Sequence, residues 1–184
     1  MQIIFEGLDN TGKSTQIDNI RKYYNNKGFI VTHSNFIHGL DKKDYKNIAI
    51  KEYSQMFEIY NKFPEIDIIS DRLHLGEYVY SPLYRDYDGS HIFNLEKKYN
   101  LDKLNVFLFV FIADIDTLLK RDDGLSFSTE IDKKQYEIDA FTKAFEKSII
   151  KNKLLIDTSK MSIDETHQNI INFIKEHDTK HAKS

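Results

Sequence analysis

The sequence predicts a doubly wound α/β fold, with one five-stranded parallel sheet and helices on both faces in three layers. Three observations carry this expectation. Short apolar runs alternate with longer segments of helical character along the chain. Most of those runs are near-continuously apolar, as strands buried on both faces of a parallel sheet must be. A glycine-containing loop joins the first run to the first helical segment, and in such sheets the ligand-binding loops gather at the carboxyl ends of the strands.

The elements follow in order. Strands are expected at Gln2–Glu6, Phe29–Ser34, Ile66–Ser70, Asn105–Ile112 and Lys153–Asp157. The first helix, Thr15–Asn26, ends before Lys27-Gly28, a C-terminal signal. The second, Asp41–Lys62, is stopped by Pro64. Shorter helices are read at His74–Tyr84, Phe93–Tyr99 and Ile115–Lys120. A polar segment with Asp122-Asp123-Gly124 leads to a long helix, Lys133–Lys151, whose apolar residues Ile138, Phe141 and Phe145 recur at helical spacing. Ser162 introduces the last helix, Ile163–His177, with Asp164 and Glu165 in its first turn, where the dipole favours acids. One domain is expected over residues 1–178, with a polar tail at 179–184.

The loop itself is Gly7-Leu8-Asp9-Asn10-Thr11-Gly12-Lys13-Ser14, a full match to G-x-x-x-x-G-K-[ST] in its strand-before, helix-after context. The glycines let the backbone curl so that successive N–H groups form an anion-binding hollow at a helix N-terminus. Lys13 adds a cation for β- and γ-phosphates and the Ser14 hydroxyl a ligand for Mg²⁺, with Thr15 just inside the helix. The chain is thus expected to have a P-loop NTPase fold and to bind a nucleoside triphosphate.

Composition narrows the classes. A net charge of −3 argues against stable nucleic-acid binding. With no cysteine there are no disulfides or thiolate metal sites, and the scattered histidines suggest no metal centre. No apolar stretch reaches membrane-spanning length, and with a strand opening at Gln2 no signal peptide is expected, so a cytoplasmic protein is the default.

A second segment, Ile68-Ile69-Ser70-Asp71-Arg72, closes an apolar strand on an acid–arginine pair. At the sheet edge where the phosphate loop opens, Asp71 can hold Mg²⁺ or its waters and Arg72 can bridge two phosphates through its planar fork. A solvated ion pair is the alternative for such a pair in isolation. Further on, His74, Glu77 and Tyr78 recur on one helical face, followed by Tyr84 and Arg85. There Glu77 is a candidate acceptor for a base N–H and Arg85 a candidate phosphate cation, against an ordinary solvated face.

With these residues the chain resembles the thymidylate kinase family of P-loop nucleoside monophosphate kinases. The resemblance rests on Phe5-Glu6-Gly7-Leu8-Asp9 through Gly12-Lys13-Ser14-Thr15-Gln16, on Asp71-Arg72, and on Tyr80, nine places after the acid. Leu119-Lys120-Arg121 looks like the entry to that family's mobile lid, here about 121–135, and Leu155-Ile156-Asp157-Thr158-Ser159-Lys160 like the strand and loop beside the adenine. The resemblance implies an enzyme that transfers a phosphoryl group from ATP, with Mg²⁺, to a deoxynucleoside monophosphate of the dTMP or dUMP kind. It implies that Gly7, Asn10, Thr11, Gly12, Lys13, Ser14 and Thr15 hold ATP and that Lys13, Asp71, Arg72 and Arg121 serve catalysis. Asp9 then lies near the acceptor's 3′-hydroxyl, and Tyr80 packs under the sugar and excludes a 2′-hydroxyl. His74, Glu77, Arg85 and Phe57 complete the acceptor-side candidates, although Tyr53, Phe57, Tyr60 and Phe63 at helical spacing suit a core at least as well. A homodimer is the oligomer considered.

The chain also departs from the family. An Arg-x-Pro element is replaced by His33-Ser34-Asn35-Phe36-Ile37-His38, and a phosphate-loop arginine by Asn10. Arg121 is the lid's one arginine, with Lys133 and Lys134 beyond it. A kinase of a free deoxynucleoside, or of a modified base in DNA, therefore remains the alternative, and a regulatory NTPase the third reading. A guanine-reading Asn-Lys-x-Asp is not met by Asn152-Lys153-Leu154-Leu155.

Overall fold

A computed structural model describes residues 1–34, 41–124, 126 and 128–178. Its strands are β1 (Gln2–Gly7), β2 (Ile30–His33), β3 (Ile68–Asp71), β4 (Val106–Ile112) and β5 (Asn152–Asp157). They lie in the order β2-β3-β1-β4-β5, and every pairing is parallel. From β1 the chain crosses to the edge strand β2, returns to place β3 between them, and then passes β1 to add β4 and β5 on the other side. The turning point, where crossovers diverge and a crevice opens, is therefore the carboxyl end of β1.

Alternation along β4 shows how the layers form. Phe107, Phe109 and Phe111 join Ile3 and Phe5 of β1 in a core with Ile17, Ile20, Ile170, Ile171 and Ile174, the buried stripes of α1 (Lys13–Tyr23) and α7 (Ile163–His177). Val106, Leu108 and Val110 face the other way, into a core with Phe57 and Tyr60 of α2 (Lys42–Lys62), Val79 of α3 (Leu75–Tyr80), Ile92 of α4 (His91–Lys98), Leu118 of α5 (Ile115–Lys120) and Phe141 of α6 (Ile131–Lys147). Both faces of β4 are dry, so each of these side chains contributes roughly 1.5–3 kcal/mol. The predicted three-layer fold and five-stranded parallel sheet are observed.

Element boundaries shift where local chemistry competes with pattern. Helix α1 begins at Lys13, two residues before the expected start, because left-handed Gly12 (φ 85°) forms its N-cap. The same helix stops at Tyr23, and Lys27 turns back to donate to the Tyr24 carbonyl at 2.8 Å. The expected helix His74–Tyr84 is α3 followed by a wider π-helical turn, Ser81–Arg85, that contains Pro82. Helix α6 ends at Lys147, short of Lys151, and the chain extends at Ser148 (ψ 135°). At α7 the reading holds: Ser162 and Glu165 form a reciprocal capping box, with Glu165 accepting from the Ser162 N–H at 2.8 Å. The tail 179–184 lies outside the described residues, as do Asn35-Phe36-Ile37-His38 and, within the expected lid, Leu125 and Phe127.

Candidate active site

The loop after β1 is shaped by three positive φ angles, at Gly7 (125°), Asn10 (62°) and Gly12 (85°). A Cβ at Gly7 would lie 2.0 Å from the Phe111 carbonyl oxygen, so only glycine lets β1 end this close to β4. Leu8 N–H then donates to that same carbonyl at 3.2 Å. Inside the loop the Thr11 hydroxyl donates to the Leu8 carbonyl at 2.8 Å, and the Lys13 ammonium donates to it as well. Because α1 starts at Lys13, the backbone amides of Lys13, Ser14 and Thr15 fall in the helix's first turn, where N–H groups lack intrahelical acceptors and attract anions. Lys13 is 6% exposed. Burial, reinforced by Arg72, pulls its pKa down to about 7, against the opposing pull of Asp9, Asp71 and Glu6.

Beside this loop, β3 delivers Asp71 and Arg72. Asp71 stands in register with Phe5 of β1 and His33 of β2. One of its carboxylate oxygens meets His33 Nδ1 at 2.9 Å; the other is buried without a partner among the described residues. Arg72 is left-handed (φ 63°), a conformation that costs a bulky residue roughly 1–3 kcal/mol and persists only when its surroundings fix it. Here its N–H donates to the Phe5 carbonyl at 2.8 Å, Nη1 donates to the Gly7 carbonyl at 3.1 Å, and Nη2 pairs with the Asp9 carboxylate. Burial works against its charge, but Tyr80, Asp9 and Glu6 outweigh burial and raise its pKa, so Arg72 is a fixed cation.

A cleft of about 690 Å³ runs from the phosphate loop along this edge. Of the expected residues it brings together Asp9, Asn10, Gly12, Lys13, Ser14, Thr15, Asp71, Arg72, Glu77, Tyr80 and Arg85. The Tyr80 ring is held edge-on against Phe141, with centroids 5.7 Å apart, and presents itself on the wall beside Gly76. Gly7 and Thr11 shape the loop from behind and do not line the cleft.

Five of the expected residues find partners in the packing that the sequence pattern does not indicate. His74 is fully buried and points away, its Nε2 bonded to Glu96 at 2.7 Å. Phe57 is also fully buried, edge-on to His74 with centroids 5.0 Å apart, and belongs to the core. Glu77 and Arg85 are each other's partners, as Nη1 of Arg85 lies 2.5 Å from Glu77, which also accepts from the Tyr87 hydroxyl. The Arg85 guanidinium sits 4.1 Å above the Tyr45 ring. The two therefore form a charge-paired stretch of the cleft wall. Arg121 donates to the Thr158 hydroxyl at 3.1 Å and carbonyl at 3.0 Å, beside β5 and off the cleft.

The cleft adds residues to which the sequence reading gave no site role: His33, Ser34, Tyr45, Glu52, Tyr53 and Asp123. His33 had a readable signal, since parallel register sets it beside Asp71 once β2 and β3 are neighbours. Asn10 donates to Asp122 at 3.1 Å and to the Ser126 hydroxyl at 3.0 Å, so the phosphate loop touches the expected lid segment. No helix among the described residues is long and apolar enough to cross a membrane.

Comparison with known proteins agrees with the fold. No family model matches the chain. A probable thymidylate kinase of Methanocaldococcus jannaschii is 29% identical over 189 aligned positions, covering 95% of this chain and 96% of that protein. Among solved structures, the Candida albicans thymidylate kinase superposes with a TM-score of 0.68 at 15% identity, over 96% of this chain and 92% of the other. The Bacillus subtilis YorR protein, solved in complex with phosphorylated GDP, has a TM-score of 0.68 at 22% identity, over 97% and 98% of the two chains.

Proposed function

We propose that this chain, a P-loop nucleotide kinase similar to thymidylate kinases along nearly its whole length, transfers the γ-phosphoryl group of ATP to a deoxynucleoside monophosphate. The single observation that carries this reading is the placement of Arg72. A permanently charged fork is locked between the phosphate loop and the far half of one cleft, where a donor and an acceptor phosphate would meet. Transfer of this kind asks for in-line positioning and charge neutralisation and needs no covalent nucleophile.

In this reading the amides of Lys13–Thr15 and the Lys13 ammonium hold the donor phosphates. Arg72 spans donor and acceptor, and Asp9 orients both Arg72 and the acceptor's sugar. Tyr80 packs against the sugar face that lacks a 2′-hydroxyl. The residues present fit Mg²⁺, because Ser14, which is exposed, and Asp71, one of whose buried carboxylate oxygens has no partner among the described residues, are hard oxygen donors lining the same cleft. Bound there, the ion would supply charge neutralisation on the donor phosphates. The lid of residues 121–135 would close over the donor within a single domain of residues 1–178, and the protein would act in the cytoplasm.

The test is ADP release with ATP and Mg²⁺ across deoxynucleoside monophosphates, ribonucleoside monophosphates, free deoxynucleosides and oligonucleotides. Turnover confined to deoxynucleoside monophosphates supports the proposal. Turnover confined to deoxynucleosides or oligonucleotides moves the acceptor to the alternative class, and ATP hydrolysis without any acceptor product removes the kinase reading.

A further inference from the structure

Glu6 is a fully buried carboxylate next to the phosphate loop in sequence, to which the reading above gives no task. It stands in β1 between Phe5 and Gly7, and these three consecutive residues each hold part of one short segment. The Phe5 carbonyl takes the Arg72 N–H at 2.8 Å, and the Gly7 carbonyl takes Arg72 Nη1 at 3.1 Å. Between them, Oε1 of Glu6 accepts from the Leu73 N–H at 3.0 Å and the Leu75 N–H at 2.7 Å.

The need for that carboxylate comes from the left-handed turn. At Arg72 the chain leaves the sheet, and α3 begins three residues later, so the N–H groups of Leu73 and Leu75 have neither a strand partner nor an intrahelical acceptor. Both residues are buried, and an unpaired buried N–H costs roughly 1–3 kcal/mol. One side-chain oxygen supplies both acceptors. Its neighbour Oε2 lies 3.8 Å from the place a Cβ on Gly76 would take, so α3 is packed closely over the carboxyl group.

From this geometry we infer that Glu6 is a positioning residue, whose side chain ties the Arg72–Leu75 turn to β1 and so holds the Arg72 fork in register with the phosphate loop. It touches neither nucleotide and acts through Arg72, and the inference rests on the kinase reading above. Burial raises the pKa of Glu6 against the pull of His74, of its two backbone donors and of Arg72.

The experiment compares Glu6→Ala, Glu6→Gln, Arg72→Ala and the Glu6→Ala/Arg72→Ala double variant, with ATP and the accepted deoxynucleoside monophosphate. Displacing the fork should lower kcat of Glu6→Ala by about a hundredfold while KM for ATP stays near that of the unmodified protein. Glu6→Gln keeps the accepting oxygen and should recover at least roughly tenfold of that loss. Added to Arg72→Ala, Glu6→Ala should change kcat by no more than roughly twofold. A merely structural residue would lower the double variant as much as the single one, and that result overturns the inference, as does a Glu6→Ala variant with unaltered kcat. Glu6→Asp, with its oxygens withdrawn by one methylene, replaces the alanine variant where the latter does not fold. Amide exchange at Leu73 and Leu75 reads the tie without any substrate. Exchange unchanged in Glu6→Ala sinks the tie, whereas an unmodified protein inactive on every acceptor sinks the kinase reading.

Discussion

Arg72 and Asp9 form an ion pair that joins the end of β3 to the middle of the phosphate loop, and the same guanidinium donates to the Gly7 carbonyl. Two strands of the sheet therefore share one rigid cation at the floor of the cleft. An ammonium on a flexible stem cannot make both contacts in one plane. Arg72→Lys should lower kcat by at least about a hundredfold, roughly 2.7 kcal/mol of transition-state stabilisation, with a small effect on KM for ATP. A variant whose defect is confined to a raised KM would place Arg72 outside the transition state.

In the proposed reading sugar choice rests on Tyr80, buried against Phe141 and lining the cleft. A hydroxyl pressed against that ring meets steric strain and has no buried partner. Deoxyribonucleotide acceptors should exceed their ribose counterparts by about ten- to a thousandfold in kcat/KM, and Tyr80→Ala should narrow the gap by admitting the ribonucleotide. Equal use of dUMP and UMP by the unmodified protein would make Tyr80 a core aromatic only.

Lys13 carries a stability penalty that can be read by pH. Its folded pKa of about 7 lies below the ordinary 10.5. Below about 7 the lysine is charged in both states and the burial cost is present in full. Between about 7 and 10.5 the unfolded chain holds more protons, so this contribution to stability rises with pH. Lys13→Met should remove phosphoryl transfer, yet at pH 6 it should raise the melting midpoint by at least about 2–4 °C, the effect of 1 kcal/mol in a chain this long. A midpoint lowered at pH 6 would contradict the penalty.

His74 and Glu96 tie α3 to α4, and Glu96 also accepts from the Ser148 hydroxyl and the Ile149 N–H, each at 2.8 Å. Burial alone would raise the Glu96 pKa, but His74 and these donors outweigh it and hold it below 4.5. A depressed carboxylate contributes its full stability above 4.5 and loses it as pH falls through the folded value. Glu96→Gln should cost about 3–5 kcal/mol at neutral pH and should lessen the fall in stability on acidification below 4.5. Denaturant melts at pH 7 and at lower pH check both, and an equal acid dependence in the two proteins would refute the assignment.

What the sequence made legible was whatever depends on neighbours along the chain. The phosphate loop, the apolar strands and the capped α7 are short-range patterns, and each is found within a few residues of its expected place. Side-chain partners set by tertiary packing were not legible. His74 and Glu77 share a helical face on paper, but one is drawn to Glu96, 22 residues away, and the other to Arg85 and Tyr87 across a π-helical turn that helical periodicity does not announce. The left-handed Arg72 left no mark either, because its cause lies in β1, 65 residues earlier, at Gly7 and the residues beside it.

The file of phenyl rings on β4 has a consequence for how the chain finds its pairing. Phe107, Phe109 and Phe111 occupy alternate places, and the aliphatic residues between them face the other layer. Sliding β4 by a single residue along β1 would exchange the two sets, pressing three rings into space filled by smaller side chains. The same slip would move the Phe111 carbonyl away from Gly7, where a gap of atomic width was kept open for it. Strand alignment thus acts as a ruler for the nucleotide loop: a chain that misreads its sheet by one notch cannot assemble a phosphate cradle, and a cradle correctly built certifies the sheet beneath it.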